Sequence, residues 1–134
     1  MKEIMDFLKG TTVQYLATIG LDGKPKVRPF QYMFEKDGKL WFCTSNKKIV
    51  YAEIKQQPYV EFSACNPDLA WLRLSGKVVF KDDMDIKNKI IEDSEFVRSI
   101  YRTGYNPEFE VFYLEEGKAV INDFSGKPSK EYTF

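Results

Sequence analysis

The spacing of hydrophobic and polar positions changes repeatedly along the chain, and each change predicts an element. Between Lys2 and Lys9, Ile4, Phe7 and Leu8 recur at helical spacing and the run stops at Gly10, predicting a short leading helix. From Val13 to Ile19 the period falls to two, with Val13, Tyr15, Ala17 and Ile19 alternating against Gln14, Leu16 and Thr18. Asp22-Gly23 then predicts a hairpin into a strand over Lys26–Phe34, and Asp37-Gly38 a second hairpin into Leu40–Thr44. A helix is expected over Lys47–Gln57, with Val50 and Ile54 four apart and Pro58 closing it. Strands resume at Tyr59–Cys65 and Ala70–Lys81, on either side of the turn-forming Asn66-Pro67-Asp68. Asp85–Arg102 reads as one or two surface helices. Phe109–Leu114 and Lys118–Asp123 read as two strands joined at Glu116-Gly117.

Six or seven antiparallel strands with interspersed helices in 134 residues predict a mainly β domain, a small closed or split barrel. Two-residue turns between consecutive strands disfavour a doubly wound parallel sheet, which needs helical crossovers. No repeat or linker divides the chain, so residues 1–134 are expected to form one domain. Residues 124–134, polar and carrying Gly126 and Pro128, are expected to run as an extended C-terminal arm.

Composition narrows the chemistry. Lys plus Arg and Asp plus Glu each total 20, so no overall field attracts nucleic acid or an anionic membrane. No apolar run approaches the ~20 residues of a membrane helix, and no signal peptide is visible. Cys43 and Cys65 lack CxxC spacing and read as buried thiols of a reducing compartment, which with the rest predicts a cytoplasmic location. Histidine is absent. This removes Ser-His-Asp and Cys-His hydrolases, His-ligated metals and imidazole acid–base chemistry, leaving a cofactor, carboxylates or lysines to do any reaction. Eleven Phe, eight Tyr and two Trp are a heavy aromatic load, suggestive of a planar ligand or a large interface.

Three places depart from ordinary strand and helix patterns. Arg28 alternates onto one face with Phe30, Tyr32 and Phe34, where a guanidinium needs a ligand, water or a carboxylate partner, and Pro29 marks an edge or bulge beside it. Ser45 or Asn46 is a good N-cap, which would put Lys47 and Lys48 in the first turn of a helix. Two cations there oppose the helix dipole unless an anion docks. With the Thr44 and Ser45 hydroxyls they would make a phosphate cradle, or else be solvated lysines. In the strand after Asn66, Leu72, Leu74, Val78 and Phe80 suit the core, while Trp71, Arg73, Ser75 and Lys77 share the other face. There Trp71 and Arg73 could meet a planar ligand or a second subunit, or Arg73 could simply pair with Glu61 across the sheet. Gly76 points to a bulge or a close backbone approach.

In order and spacing, Arg28-Pro29-Phe30, Phe42-Cys43-Thr44-Ser45-Asn46-Lys47-Lys48, Asn66-Pro67 and Leu74-Ser75-Gly76-Lys77 resemble the FMN-binding split-barrel family. Pyridoxamine 5'-phosphate oxidase is its best-known member and the NimA/NimC-like nitroimidazole reductases are short relatives. The resemblance runs from Phe7 to Asp123. It implies a homodimer with FMN at the subunit interface. Arg28 and Lys48, helped by Thr44, Ser45 and Lys47, would hold the phosphate. Val27, Arg28, Pro29 and Phe30 would lie along the flavin ring, with Trp71 and Arg73 approaching from the facing subunit. The resemblance further implies hydride transfer from a donor such as NAD(P)H to a small, nitro-bearing or aromatic acceptor. Independently of it, Lys77 and Tyr32 are candidate proton donors. The Arg-Leu-His-Asp-Arg-type C-terminal signature of pyridoxamine 5'-phosphate oxidase is missing, so oxidation of that vitamer is not expected. The alternatives are a flavin-binding module without turnover, a barrel holding deazaflavin or haem, and a single-stranded nucleic-acid binder that stacks bases on Phe30, Tyr32 and Trp71.

Overall fold

The computed structural model describes residues 1–134. Its elements are α1 (Lys2–Gly10), β1 (Gln14–Ile19), β2 (Pro25–Phe30), β3 (Tyr32–Lys36), β4 (Lys39–Ser45), α2 (Ile49–Gln56), β5 (Tyr59–Cys65), β6 (Trp71–Phe80), α3 (Met84–Asp93), α4 (Glu95–Tyr101), β7 (Phe109–Asn122) and β8 (Lys130–Thr133). Every strand pairing is antiparallel, in the order β2-β1-β5-β6-β7-β4-β3, with β8 added to the second half of β7. The expected mainly β, antiparallel split barrel is the architecture observed. No helix is long and apolar enough to cross a membrane.

The two outer strands of this path, β2 and β3, are consecutive in sequence. The predicted single strand Lys26–Phe34 therefore breaks at Gln31, and the curled sheet nearly closes on itself there. Gln14 holds the seam. Its side chain, 1% exposed, accepts from the Tyr32 N–H at 2.6 Å and donates to the Thr11 carbonyl at 2.6 Å. One amide thus joins the start of β1, the end of α1 and the start of β3.

Inside the barrel, Phe42 stacks between Phe62 at 4.4 Å and Phe112 at 5.4 Å, and the Phe30 ring tilts against all three. Much of the aromatic load is therefore core packing. Ile4 and Leu8 of α1 and Val50 and Ile54 of α2 enter the same cluster. On the other side of β4 and β7, α3 and α4 bury Ile86, Ile90 and Val97 against Trp41, Phe109 and Val111. The strand β4 is thus covered on both faces, which explains its nearly continuous burial.

Several expectations are corrected. The predicted strands Phe109–Leu114 and Lys118–Asp123 are one 14-residue strand. Glu116 (φ 53°) takes up the irregularity opposite the bulge at Gly76, where a Cβ would sit 3.0 Å from the Glu115 carbonyl. The C-terminal arm folds back on its own chain as β8, with Gly117 and Phe134 exchanging both backbone hydrogen bonds. In β1, Gln14, Leu16 and Thr18 face inward, while Tyr15 and Ile19, with Val13 just before the strand, are exposed. Cys65 is exposed rather than buried, and Cys43 is partly buried.

Candidate functional site

A cavity of about 560 Å³ opens between the β2–β3 break, the end of β4 and α4, within the usual size range of ligand pockets. Pro29, Phe30, Gln31 and Met33 form one wall. Phe96, Val97, Ile100 and Tyr101 form the opposite one, and Cys43, Thr44 and Lys48 lie at the strand end between them. The walls are largely apolar, and Lys48 is the one charged residue in the lining.

The local chain explains how the polar groups arrive there. β4 stays in register with β7 through Ser45, opposite Phe109, so the helix cannot begin at Ser45 or Asn46. Asn46 is instead committed to β7 and the loop before it: its N–H donates to the Glu108 carbonyl and its side-chain amide to the Pro107 carbonyl at 2.8 Å. Ser45–Lys48 form a turn in which the Ser45 hydroxyl accepts from the Lys47 N–H at 3.1 Å, and α2 starts only at Ile49 with Lys48 as its N-cap. The expected first-turn placement of Lys47 and Lys48 is thus corrected: both precede the helix. No side chain caps the amides that open α2. Neither lysine has a carboxylate within ion-pair distance.

The Thr44 hydroxyl is buried without a hydrogen-bond partner, in a residue only 2% exposed. Such an orphan costs about 1–3 kcal/mol by mutational measures and is the kind of group that a ligand satisfies. Beside it, burial pushes the Cys43 thiol up to about 12, opposed more weakly by the Lys48 ammonium. Burial likewise raises Tyr101 to about 12. Both therefore stay protonated at neutral pH, and Cys43 is not a nucleophile. An oxygen-rich anionic group near Lys48 and Thr44, with a flat apolar body between Pro29 and α4, matches this donor set, so the residues present fit FMN.

Of the residues singled out from sequence, the structure brings Pro29, Phe30, Thr44 and Lys48 to this one cavity, with Ser45 and Lys47 in the adjoining turn. It does not bring Val27, Arg28, Trp71 or Arg73 there. Val27 is exposed on the outer face of the sheet. Trp71 packs near Phe124 at 5.3 Å, and Arg73 pairs with Glu61 through bonds of 3.0 and 3.2 Å, the cross-sheet pairing that was the alternative. Arg28 turns into the barrel, where its guanidinium meets Glu53 at 2.5 Å, the Thr18 hydroxyl at 2.6 Å and the Leu16 carbonyl at 3.2 Å. Glu53 is 2% exposed, and stripping its only cation would cost about 3–5 kcal/mol. Tyr32, a candidate proton donor, is buried in the barrel core with its hydroxyl unpartnered, and burial raises it to about 12. Lys77 lies on the sheet opposite Tyr59 and Glu115, outside the cavity lining.

Sequence reasoning missed the α4 wall, because Phe96 and Ile100 read as ordinary amphipathic helix positions. It also missed Glu53, whose burial appears only once α2 is docked.

Residues 1–114 match the family described as pyridoxamine 5'-phosphate oxidase. No protein of curated function matches the chain. Among solved structures, the chain is similar to a NimC/NimA family protein from Clostridium acetobutylicum at 33% identity and a TM-score of 0.92, covering 100% of this chain and 92% of that one. A pyridoxamine 5'-phosphate oxidase-related, FMN-binding protein from Nostoc punctiforme shares the fold at 18% identity and a TM-score of 0.75, over 98% of this chain and 88% of its own. So does a heme-binding protein from Mycobacterium smegmatis, at 16% identity and a TM-score of 0.77, over 98% of this chain and 56% of its own. With the family match spanning most of the sequence and a relative of one-third identity superposing along all of it, the chain belongs to the pyridoxamine 5'-phosphate oxidase-like family of FMN-binding split barrels that includes the NimC/NimA proteins.

Proposed function

We propose that this protein is an FMN-dependent oxidoreductase that works as a homodimer, with FMN seated in the cavity between α4 and the β2–β3 break. The observation that carries the reading is the orphaned Thr44 hydroxyl beside the unpaired Lys48 at the end of an apolar slot. When bound, FMN supplies hydride transfer between a donor such as NAD(P)H and a small acceptor, such as a nitro-bearing or aromatic one.

The side chains of this chain bind and orient. Lys48 neutralises the phosphate, the Ser45 hydroxyl and the uncapped amides that open α2 are free to donate to it, and Thr44 donates the hydrogen bond it otherwise lacks. Pro29, Met33 and Val97 exclude water along the ring. Direct hydride transfer requires no general base, which accords with a cavity whose titratable members are Lys48, Cys43 and Tyr101.

The dimer is supported by the exposed apolar residues Tyr15, Ile19 and Val27 on the outer face of β1 and β2, with Val13 just before β1. Val13 also lines the cavity, as does Pro29 beside Val27, so the patch runs into the site and a second copy seated there would close it. A flavin-binding module without turnover is the second reading: the lining supplies binding groups in Lys48 and Thr44, and burial keeps Cys43 and Tyr101 protonated.

The test is the visible spectrum of the purified protein, with mass identification of whatever denaturation releases. A flavin spectrum and released FMN are expected. Colourless protein that takes up no added FMN refutes the proposal, and a haem or deazaflavin spectrum replaces the cofactor. Bleaching of the bound flavin by NADH or NADPH separates the enzyme from the silent binder.

A further inference from the structure

We infer that Arg28 does not bind the cofactor phosphate in this chain. It is the internal lock that fastens α2 to the barrel, and the acidic end of the ligand is held by Lys48 with Thr44. This rests on the FMN reading above, yet it departs from the role the resemblance gives Arg28.

The geometry is a closed ring. Arg28 Nη2 meets Glu53 Oε1 at 2.5 Å and Arg28 Nη1 donates to Thr18 Oγ1 at 2.6 Å. Thr18 Oγ1 in turn donates to the same Glu53 oxygen at 2.9 Å. The third acceptor, the Leu16 carbonyl, belongs to the residue paired with Arg28 across β1 and β2. Three elements meet in this ring: β1, β2 and α2. Side-chain exposure is 22% for Arg28 and 3% for Glu53, so the carboxylate has no solvent to fall back on. Glu53 has no other cation within ion-pair distance. A phosphate that drew Arg28 away from Glu53 would strand a buried anion.

Direction agrees with satisfaction. Arg28 lies on the inward face of β2 with Leu16 and Thr18 opposite and beside it, whereas the neighbouring Pro29 lines the cavity and Arg28 does not. The cation left free at the cavity is Lys48, and the hydroxyl left free is that of Thr44.

Two measurements test this. In a double-mutant cycle, Arg28→Met should lower the melting temperature more than Glu53→Gln. Arg28→Met/Glu53→Gln should recover much of the loss, because the buried charge goes with its partner while the Gln amide can still bond Thr18. Additive effects without recovery overturn the lock. Affinities for FMN and riboflavin, read from quenching of flavin fluorescence, then isolate the phosphate contribution. The double variant should keep the wild-type ratio of the two affinities within about threefold, while Lys48→Gln should reduce it about tenfold or more, as losing a charge-assisted bond implies. A folded double variant whose ratio collapses, or a Lys48→Gln variant whose ratio does not change, overturns the assignment. Wild-type protein that binds neither flavin would sink the proposed function instead, and the melting cycle would still decide the lock.

Discussion

Replacing Thr44 by Val should move stability and ligand affinity in opposite directions. Thr44 is 2% exposed, its hydroxyl has no partner, and the residue lines the cavity. Valine keeps the side chain's shape and removes the orphaned oxygen. The ligand-free protein should gain about 1–2 kcal/mol, part of the usual penalty for a buried unpaired hydroxyl. For a chain of this length that is a rise in melting temperature of roughly 3–10 °C. FMN binding should suffer, since a hydrogen bond to a charged group contributes about 1.5–3 kcal/mol, equivalent to roughly 10- to 150-fold in Kd. Differential scanning fluorimetry of stripped protein and fluorescence titration with FMN read the two effects separately. A variant that melts lower than wild type would show that the hydroxyl is satisfied in solution. One that melts higher and binds FMN unchanged would remove Thr44 from the binding site.

Gln14→Leu should cost about 2–5 kcal/mol in urea unfolding, because it strands the Tyr32 N–H and the Thr11 carbonyl at the seam of the barrel; a loss below about 1 kcal/mol would mean that the seam is held elsewhere. Iodoacetamide at pH 8 should label the exposed Cys65 and spare Cys43, whose thiol burial raises to about 12; rapid double labelling in the native state contradicts this. The clasp between α1 and β8 should weaken in acid. Hydrogen bonds from Tyr132 and Lys130 hold the Glu3 carboxyl below its ordinary 4.5, so its contribution is present above that value and is lost as pH falls through the lower folded pKa. Lys130 is raised by Glu3, so its share persists at neutral pH and fades only in strong alkali. Hydrogen exchange of the β8 amides should therefore accelerate in acid beyond its intrinsic trend, and Glu3→Gln should abolish that excess; an excess that survives the substitution assigns it to another group.

The split between sequence and structure follows the range of the interactions. Turn dipeptides such as Asp22-Gly23 and Asp37-Gly38, where Gly23 and Gly38 both take φ near +78° (78° and 77°), are local and were legible as hairpins. Gly76 likewise announced its bulge, since a side chain there has no room against β7. Charge and hydroxyl spacing pointed to Thr44 and Lys48, because a cradle built on one strand end is nearly contiguous in the chain.

What the sequence by itself determined was the alternation of strands and turns, hence an antiparallel barrel, together with the absence of histidine, which removes imidazole chemistry. Only the tertiary structure decided which partner each charge takes. Arg28 meets Glu53 across 25 positions, and the burial of that carboxylate does not exist before α2 docks. The same holds for β7, whose two halves fuse because β6 pairs along both of them, and for β8, which adds to its second half. Backbone periodicity is set by neighbours along the chain. Desolvation, which decides whether a cation must pair or stays free for a ligand, is set by neighbours in space.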